Sequence, residues 1–165
     1  MKTITIRQIA EHLIRCFNNG GKVFVCGNGG SAAQALHFSG ELLGRFEKDR
    51  KSLPCICLNA DQATLTAIGN DYGYGYVFSR QLFGLGTKLD VILLLTTSGK
   101  SENLELASVV AKKFGMTSIA ISGRDGGDLI TDFQYIADGS STAEIQETHL
   151  KSLHEVCRII DAEYD

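Results

Sequence analysis

Apolar and polar positions change period repeatedly along this 165-residue chain, and each change marks an expected element of structure. Ile6, Ile9, Leu13, Ile14 and Phe17 recur at helical spacing and predict a helix over 6–17, which Asn18-Asn19-Gly20-Gly21 ends. Short apolar runs near 22–26, 55–58, 90–95, 117–121 and 134–137 read as strands, with helical stretches between them, including Glu102 to Phe114 and a last helix from about Thr142. Alternating strands and helices predict an α/β fold, a parallel sheet flanked by helices on both faces, with ligands bound beyond the carboxyl ends of the strands. No repeat, linker or low-complexity run interrupts residues 1–165, which are expected to form a single domain.

Two strand ends carry polar loops. In the first, the run Lys22-Val23-Phe24-Val25-Cys26 breaks into Gly27-Asn28-Gly29-Gly30-Ser31, a tight turn with Ser31 expected to cap the next helix. Glycines allow the backbone to approach a ligand closely, and a helix N-terminus offers unpaired N–H groups and a positive dipole end to an anion. The spacing matches neither the dinucleotide fingerprint nor a P-loop. In the second, Asp90-Val91-Ile92-Leu93-Leu94-Leu95 opens into Thr96-Thr97-Ser98-Gly99-Lys100-Ser101, whose four hydroxyls with Thr96, Thr97, Ser98 and Ser101 could surround a phosphoryl group without an arginine. A tight connection or an N-cap explains either loop alone; two at equivalent strand ends favour a ligand. The third glycine-rich loop, Gly123 to Asp128, reads first as a turn and second as a substrate edge.

Composition narrows the possibilities. A chain with 44% hydrophobic and 21% charged residues and one proline can bury a full core, and a net charge of −3 supplies no basic field for nucleic acid. No run approaches the ~18 apolar residues of a membrane span, and no signal peptide is visible, so a cytoplasmic location is expected. Five cysteines, an odd number, fit reduced thiols; Cys55 and Cys57 are expected on opposite faces of a strand, which argues against a metal clip.

Proton-moving and metal-ligating side chains lie on two predicted helices. His37 and Glu41 are four residues apart and share a face. The last helix carries Gln146, Glu147, His149 and His154 among Leu150, Leu153, Val156, Ile159 and Ile160. Taken singly, the His37–Glu41 pair reads as an ordinary surface contact and the last helix as an amphipathic helix with scattered polar residues. Gln146 and His154 stand eight residues apart, ~12 Å along a helix, so one shared centre would draw them toward each other or call on a neighbouring subunit.

In order, Gly27-Asn28-Gly29-Gly30-Ser31, His37-Phe38 with Glu41, Gly69-Asn70-Asp71-Tyr72-Gly73, Phe78-Ser79-Arg80, Thr97-Ser98-Gly99 with Ser101, Asp125-Gly126-Gly127, and Ile145-Gln146-Glu147 with His149 and His154 closely resemble the sedoheptulose-7-phosphate (phosphoheptose) isomerases of the sugar isomerase (SIS) domain superfamily. The resemblance runs from about Phe17 to Ile160. It implies a five-stranded parallel sheet and ketose–aldose isomerisation of sedoheptulose 7-phosphate to D-glycero-D-manno-heptose 7-phosphate through an enediol, the first step toward ADP- or GDP-heptose for lipopolysaccharide or capsule. It implies that Asn28, Gly29, Gly30 and Ser31 line the substrate, Asn70 and Asp71 meet its polyol, and Thr96, Thr97, Ser98 and Ser101 hold its phosphate. It implies one zinc per subunit on His37, Glu41, Gln146 and His154, with Glu41 and His154 as the acid–base pair, and a homotetramer with sites at subunit interfaces. Two other functions stay open: isomerisation of another sugar phosphate, and the non-catalytic role of a related SIS protein that binds the bacterial replication initiator. That relative lacks the equivalents of Glu41 and His154, and both residues are present here.

Overall fold

The computed structural model of the chain describes residues 1–123 and 126–164. Arg124 and Asp125, part of the expected third loop, lie outside the described residues. Its elements are β1 (Lys2–Thr3), α1 (Ile6–Asn18), β2 (Val23–Gly27), α2 (Gly30–Leu43), β3 (Cys55–Cys57), α3 (Gln62–Tyr72), a 3₁₀ turn (Tyr74–Tyr76), α4 (Ser79–Leu85), β4 (Val91–Leu95), α5 (Glu102–Phe114), β5 (Thr117–Gly123), β6 (Phe133–Ala137) and α6 (Thr142–Glu163). The strands form one parallel sheet in the order β1-β6-β5-β4-β2-β3. It has six strands where five were expected: Lys2 and Thr3, exposed and too few to show a period, pair with Phe133 and Gln134.

The pleat explains the layering. Val23, Val25, Val91, Leu93, Leu95, Ile119 and Ile121 point to one face, where they pack on α1, α2 and α6; Phe24, Cys26, Ile92, Leu94 and Ala120 point to the other, covered by α3, α4 and α5. Cys55 and Cys57 both enter the first cluster rather than opposite faces, because residues two apart on a strand share a side. All five cysteines are buried and free, and burial raises the thiols of Cys55 and Cys157 to about 12, so none is a ready nucleophile.

Capping sets the helix starts. Thr5 and Gln8 form a reciprocal capping box on α1, Asp61 caps α3, and Ser141 caps α6. Helix α2 departs from expectation: it starts at Gly30 with Gly29 at the cap, and Ser31 lies inside the first turn. Gly29 has φ +57, a conformation a side chain would resist.

At the amino-terminal edge of the sheet, buried Asp90 ties two loops together. It accepts hydrogen bonds from the Lys22 N–H and ammonium, both 2.9 Å, and from the Thr87 N–H and hydroxyl at 2.7 and 3.0 Å. Burial opposes ionisation, but these four donors together outweigh it and hold the Asp90 carboxyl below its ordinary value. Because the unfolded chain takes up this proton first, the contribution is present above about pH 4 and is lost as pH falls further. Asp90→Asn should cost about 1–3 kcal/mol at neutral pH. Urea melts from pH 7 to pH 3 should show the gap between wild type and variant closing on acidification; a constant gap would exclude the ionised carboxylate as its source.

Candidate active site

In the sheet order, β2 continues to β3 on one side and the chain then crosses to β4 on the other, so the topology reverses between β2 and β4. Ligands of open parallel sheets bind where such neighbours diverge, outside their carboxyl ends. Gly27 and Leu95, the last residues of the two strands, pair in register and release their loops at one level. Between the loops lies a cleft of about 340 Å³, lined by Asn28, Gly29, Gly30, Ser31, Leu95, Thr96, Thr97, Ser98, Ser101, Thr142 and Gln146. No charged residue is in this lining. The N-termini of α2 and α5 point into it, and neither is capped by a side chain, unlike α1, α3 and α6. Hydroxyls and open helix ends are groups whose chemistry suits an anion.

Several contacts fix the cleft. Asn28 and Asn103 exchange side-chain hydrogen bonds, both 2.9 Å, and the Tyr74 hydroxyl donates to the same Asn28 oxygen at 3.1 Å, joining the first loop to α5. The Thr96 hydroxyl accepts from the Gly99 N–H at 3.0 Å. Gly99, at φ +66, packs so closely on Gly126 and Gly127 that a Cβ would sit 2.4 Å from the Gly126 oxygen. Asn103 and Tyr74 were not singled out in the sequence, although a polar residue in the first turn of α5 was a usable signal.

A second cluster lies on the flank of α2 that faces α6. The Nε2 atoms of His37 and His154 are 2.8 Å apart, and His37 Nε2 is 3.3 Å from Glu41 Oε1. Ligand atoms of all three residues fall within 4.8 Å of one another, with His37 exposed and Glu41 and His154 half-buried. Two imidazole nitrogens this close hold one shared proton or one cation between them. Phe46 also packs against His154, ring centroids 5.3 Å apart. Glu41 and His154 therefore meet within a single chain, and no neighbouring subunit is needed to join them.

The remaining expected residues divide. Gln146 belongs to the cleft: a Cβ on Gly30 would lie 2.5–2.9 Å from its amide group, and its main-chain oxygen accepts from Gln34 Nε2 at 2.6 Å. Of the four expected metal ligands, the structure thus gathers His37, Glu41 and His154 and leaves Gln146 at Gly30. Asn70 and Asp71 are not brought to the cleft. Asn70 donates to Asp71 at 2.8 Å, and Asp71 lines a separate groove of about 860 Å³ with Tyr72, Tyr76, Arg80 and Phe83, because α3 lies under the opposite face of the sheet. His149 is fully buried, with neither ring nitrogen in a hydrogen bond among the described residues, and burial pushes its pKa down.

A SIS domain family model matches residues 2–123. The chain is 45% identical to phosphoheptose isomerase 1 of Campylobacter jejuni over 96% of its length and 87% of that protein. It superposes on a phosphoheptose isomerase from Francisella tularensis with a TM-score of 0.90 at 43% identity, covering 95% of this chain and 85% of that one. The phosphoheptose isomerase of Neisseria gonorrhoeae gives 0.88 at 42% identity, with coverages of 94% and 85%.

Substituting Gly30 probes the cleft directly, because its missing side chain makes room for a movable amide and not for backbone. Gly30→Ala should preserve the fold, displace the Gln146 amide and weaken binding of a phosphorylated ligand about tenfold, the value of one lost hydrogen bond. Isothermal titration calorimetry checks this, and unchanged affinity in a folded variant would remove Gln146 from the binding surface.

Proposed function

The chain belongs to the SIS domain family, among the phosphoheptose isomerases, and from that membership we propose that it interconverts sedoheptulose 7-phosphate and D-glycero-D-manno-heptose 7-phosphate. The observation that carries this is the pairing of an anion cleft with the Glu41–His154–His37 cluster along the same two helices. Gly30 and His37 are seven residues apart on α2, ~10 Å along the axis, a span that an extended sugar phosphate covers. We take residues 1–165 as one SIS domain, since both apolar layers share one sheet.

In this assignment the phosphate lies among Thr96, Thr97, Ser98 and Ser101 and the open ends of α2 and α5, with Asn28, Gly29, Gly30, Ser31 and Gln146 against the sugar. The reacting end reaches the cluster. Glu41 removes a proton from C1 of the ketose, and the C1–C2 bond becomes the enediol double bond as the C2 oxygen takes a proton from His154. Return of a proton to C2, with loss of the O1 proton to the imidazole, forms the aldehyde at C1. Atoms and electrons balance without an external oxidant, and each group ends in its starting state. Placing both groups within reach of adjacent carbons and oxygens supplies the orientation such a transfer needs.

The cluster also fits zinc. Two imidazole nitrogens and a carboxylate oxygen form a donor set that zinc accepts with a fourth position open, and ligands of one tetrahedral zinc stand ~3.3 Å apart, close to the 2.8 and 3.3 Å contacts here. His37, Glu41 and His154 would hold the ion, and when bound it would polarise the carbonyl and stabilise negative charge on the enediolate. We further assign self-association, as a homotetramer, to the exposed aromatic surface at Tyr72, Tyr76 and Phe83. No described helix is long and apolar enough to cross a membrane, and a cytoplasmic role in supplying heptose for lipopolysaccharide or capsule fits the substrate.

Glu41→Gln and His154→Ala should each lower kcat at least ~10²-fold in folded protein, followed as ketose–aldose conversion by NMR. Near wild-type turnover in both would remove the acid–base assignment. Purified protein should carry up to one zinc per chain and lose it in His37→Ala; metal analysis finding none, with full activity in chelator, would leave the three side chains as organic groups alone.

A further inference from the structure

The segment between α2 and β3 makes contacts that the reaction itself does not require. The Arg50 side chain is fully buried and its Nε donates to Asp161 Oδ1 on α6 at 2.9 Å. Its Nη2 donates to the Glu41 carbonyl at 2.6 Å and its Nη1 to the Leu42 carbonyl at 3.0 Å. These carbonyls belong to the last turn of α2, where a helix leaves acceptors without partners of its own. The second oxygen of Asp161 accepts the Glu47 and Lys48 N–H groups at 3.0 and 3.1 Å, drawing the segment onto α6. Between these anchors Phe46 lies against His154, with the Arg158 guanidinium 5.6 Å from its ring and the Arg158 Nε bonded to Glu47 at 3.2 Å.

We propose that Arg50 and Asp161 act as positioning residues, using the 44–51 segment as a strap that fixes the main chain of Glu41 and the ring of His154 relative to each other. Arg50 touches the carbonyl of Glu41 and not its carboxylate, so it acts through that residue. The apolar packing of α2 on α6 does not need an ion pair, and a buried pair adds little stability over well-packed apolar groups. Directional bonds supply what apolar packing lacks, a fixed register between two helices. Proton transfer is sensitive to displacements near 1 Å, so a loosened register falls on kcat. The phosphate cleft, at the other end of both helices, keeps its geometry and so its contribution to KM.

This inference rests on the assignment of Glu41 and His154 above. The test uses the full chain with Arg50→Lys, Asp161→Asn and Phe46→Leu, the last removing the ring on His154 without stranding a buried charge. Each is assayed well below its own melting temperature, beside Glu41→Gln. The strap predicts a fall in kcat of about tenfold or more with KM within about twofold, and faster amide hydrogen exchange at residues 40–43 in the two strap variants. A folded Arg50→Lys or Asp161→Asn with wild-type kcat overturns it, as does wild-type kcat in Phe46→Leu should the other two fail to fold. If Glu41→Gln stays active the acid–base assignment fails instead, and the exchange at 40–43 still decides whether the strap holds α2: unchanged rates overturn it.

Discussion

The chemistry of this chain depends on one packing contact, that of α2 against α6 over a shared half of the sheet. Ala35, Phe38 and Leu42 recur along one side of α2 and join Leu153, Val156, Cys157 and Ile160 of α6 in a single apolar cluster. His37 and Glu41 each precede a member of that stripe by one residue, so burying Phe38 and Leu42 turns them to the seam. His154 follows Leu153 and is turned to the same seam from the other side. The cluster of three is thus a by-product of apolar burial, which supplies the free energy, while polar contacts refine the geometry.

The same arrangement separates the demands on the site. Beyond β2 and β4 the lining is neutral, so a phosphate would be held by hydroxyls, N–H groups and two helix dipoles, which need no counterion to stay in place. Farther along α2 and α6 lie the groups able to move protons or hold a cation. In the proposed assignment, binding and proton transfer would occupy different turns of the same two helices, which would keep them in fixed relation.

Much of this was legible in the chain. Strands, the helix over 102–114 and both polar loops follow from runs and periods, and the ordered motifs indicated the family. What failed did so for identifiable reasons. Lys2 and Thr3 carry no pattern, and pair only because β6 offers an open edge. Ser31 looked like a cap, but Gly29 alone tolerates the φ of the turn and takes that position. Asn70 and Asp71 keep their proposed role toward substrate, but their place beside the Tyr72 groove rather than in the cleft is a tertiary placement that local spacing does not encode. Arg50 and Asp161, 111 residues apart in sequence, gave no local signal at all.

Proton transfer at one carbon pair is the core of the proposed chemistry, and solvent exchange reads it directly. Incubating sedoheptulose 7-phosphate with the protein in D₂O and following products by ¹H and ¹³C NMR should show formation of the aldose with deuterium at C2. Glu41→Gln should form neither the product nor the label. Conversion undiminished in Glu41→Gln would contradict an enediol route through this cluster.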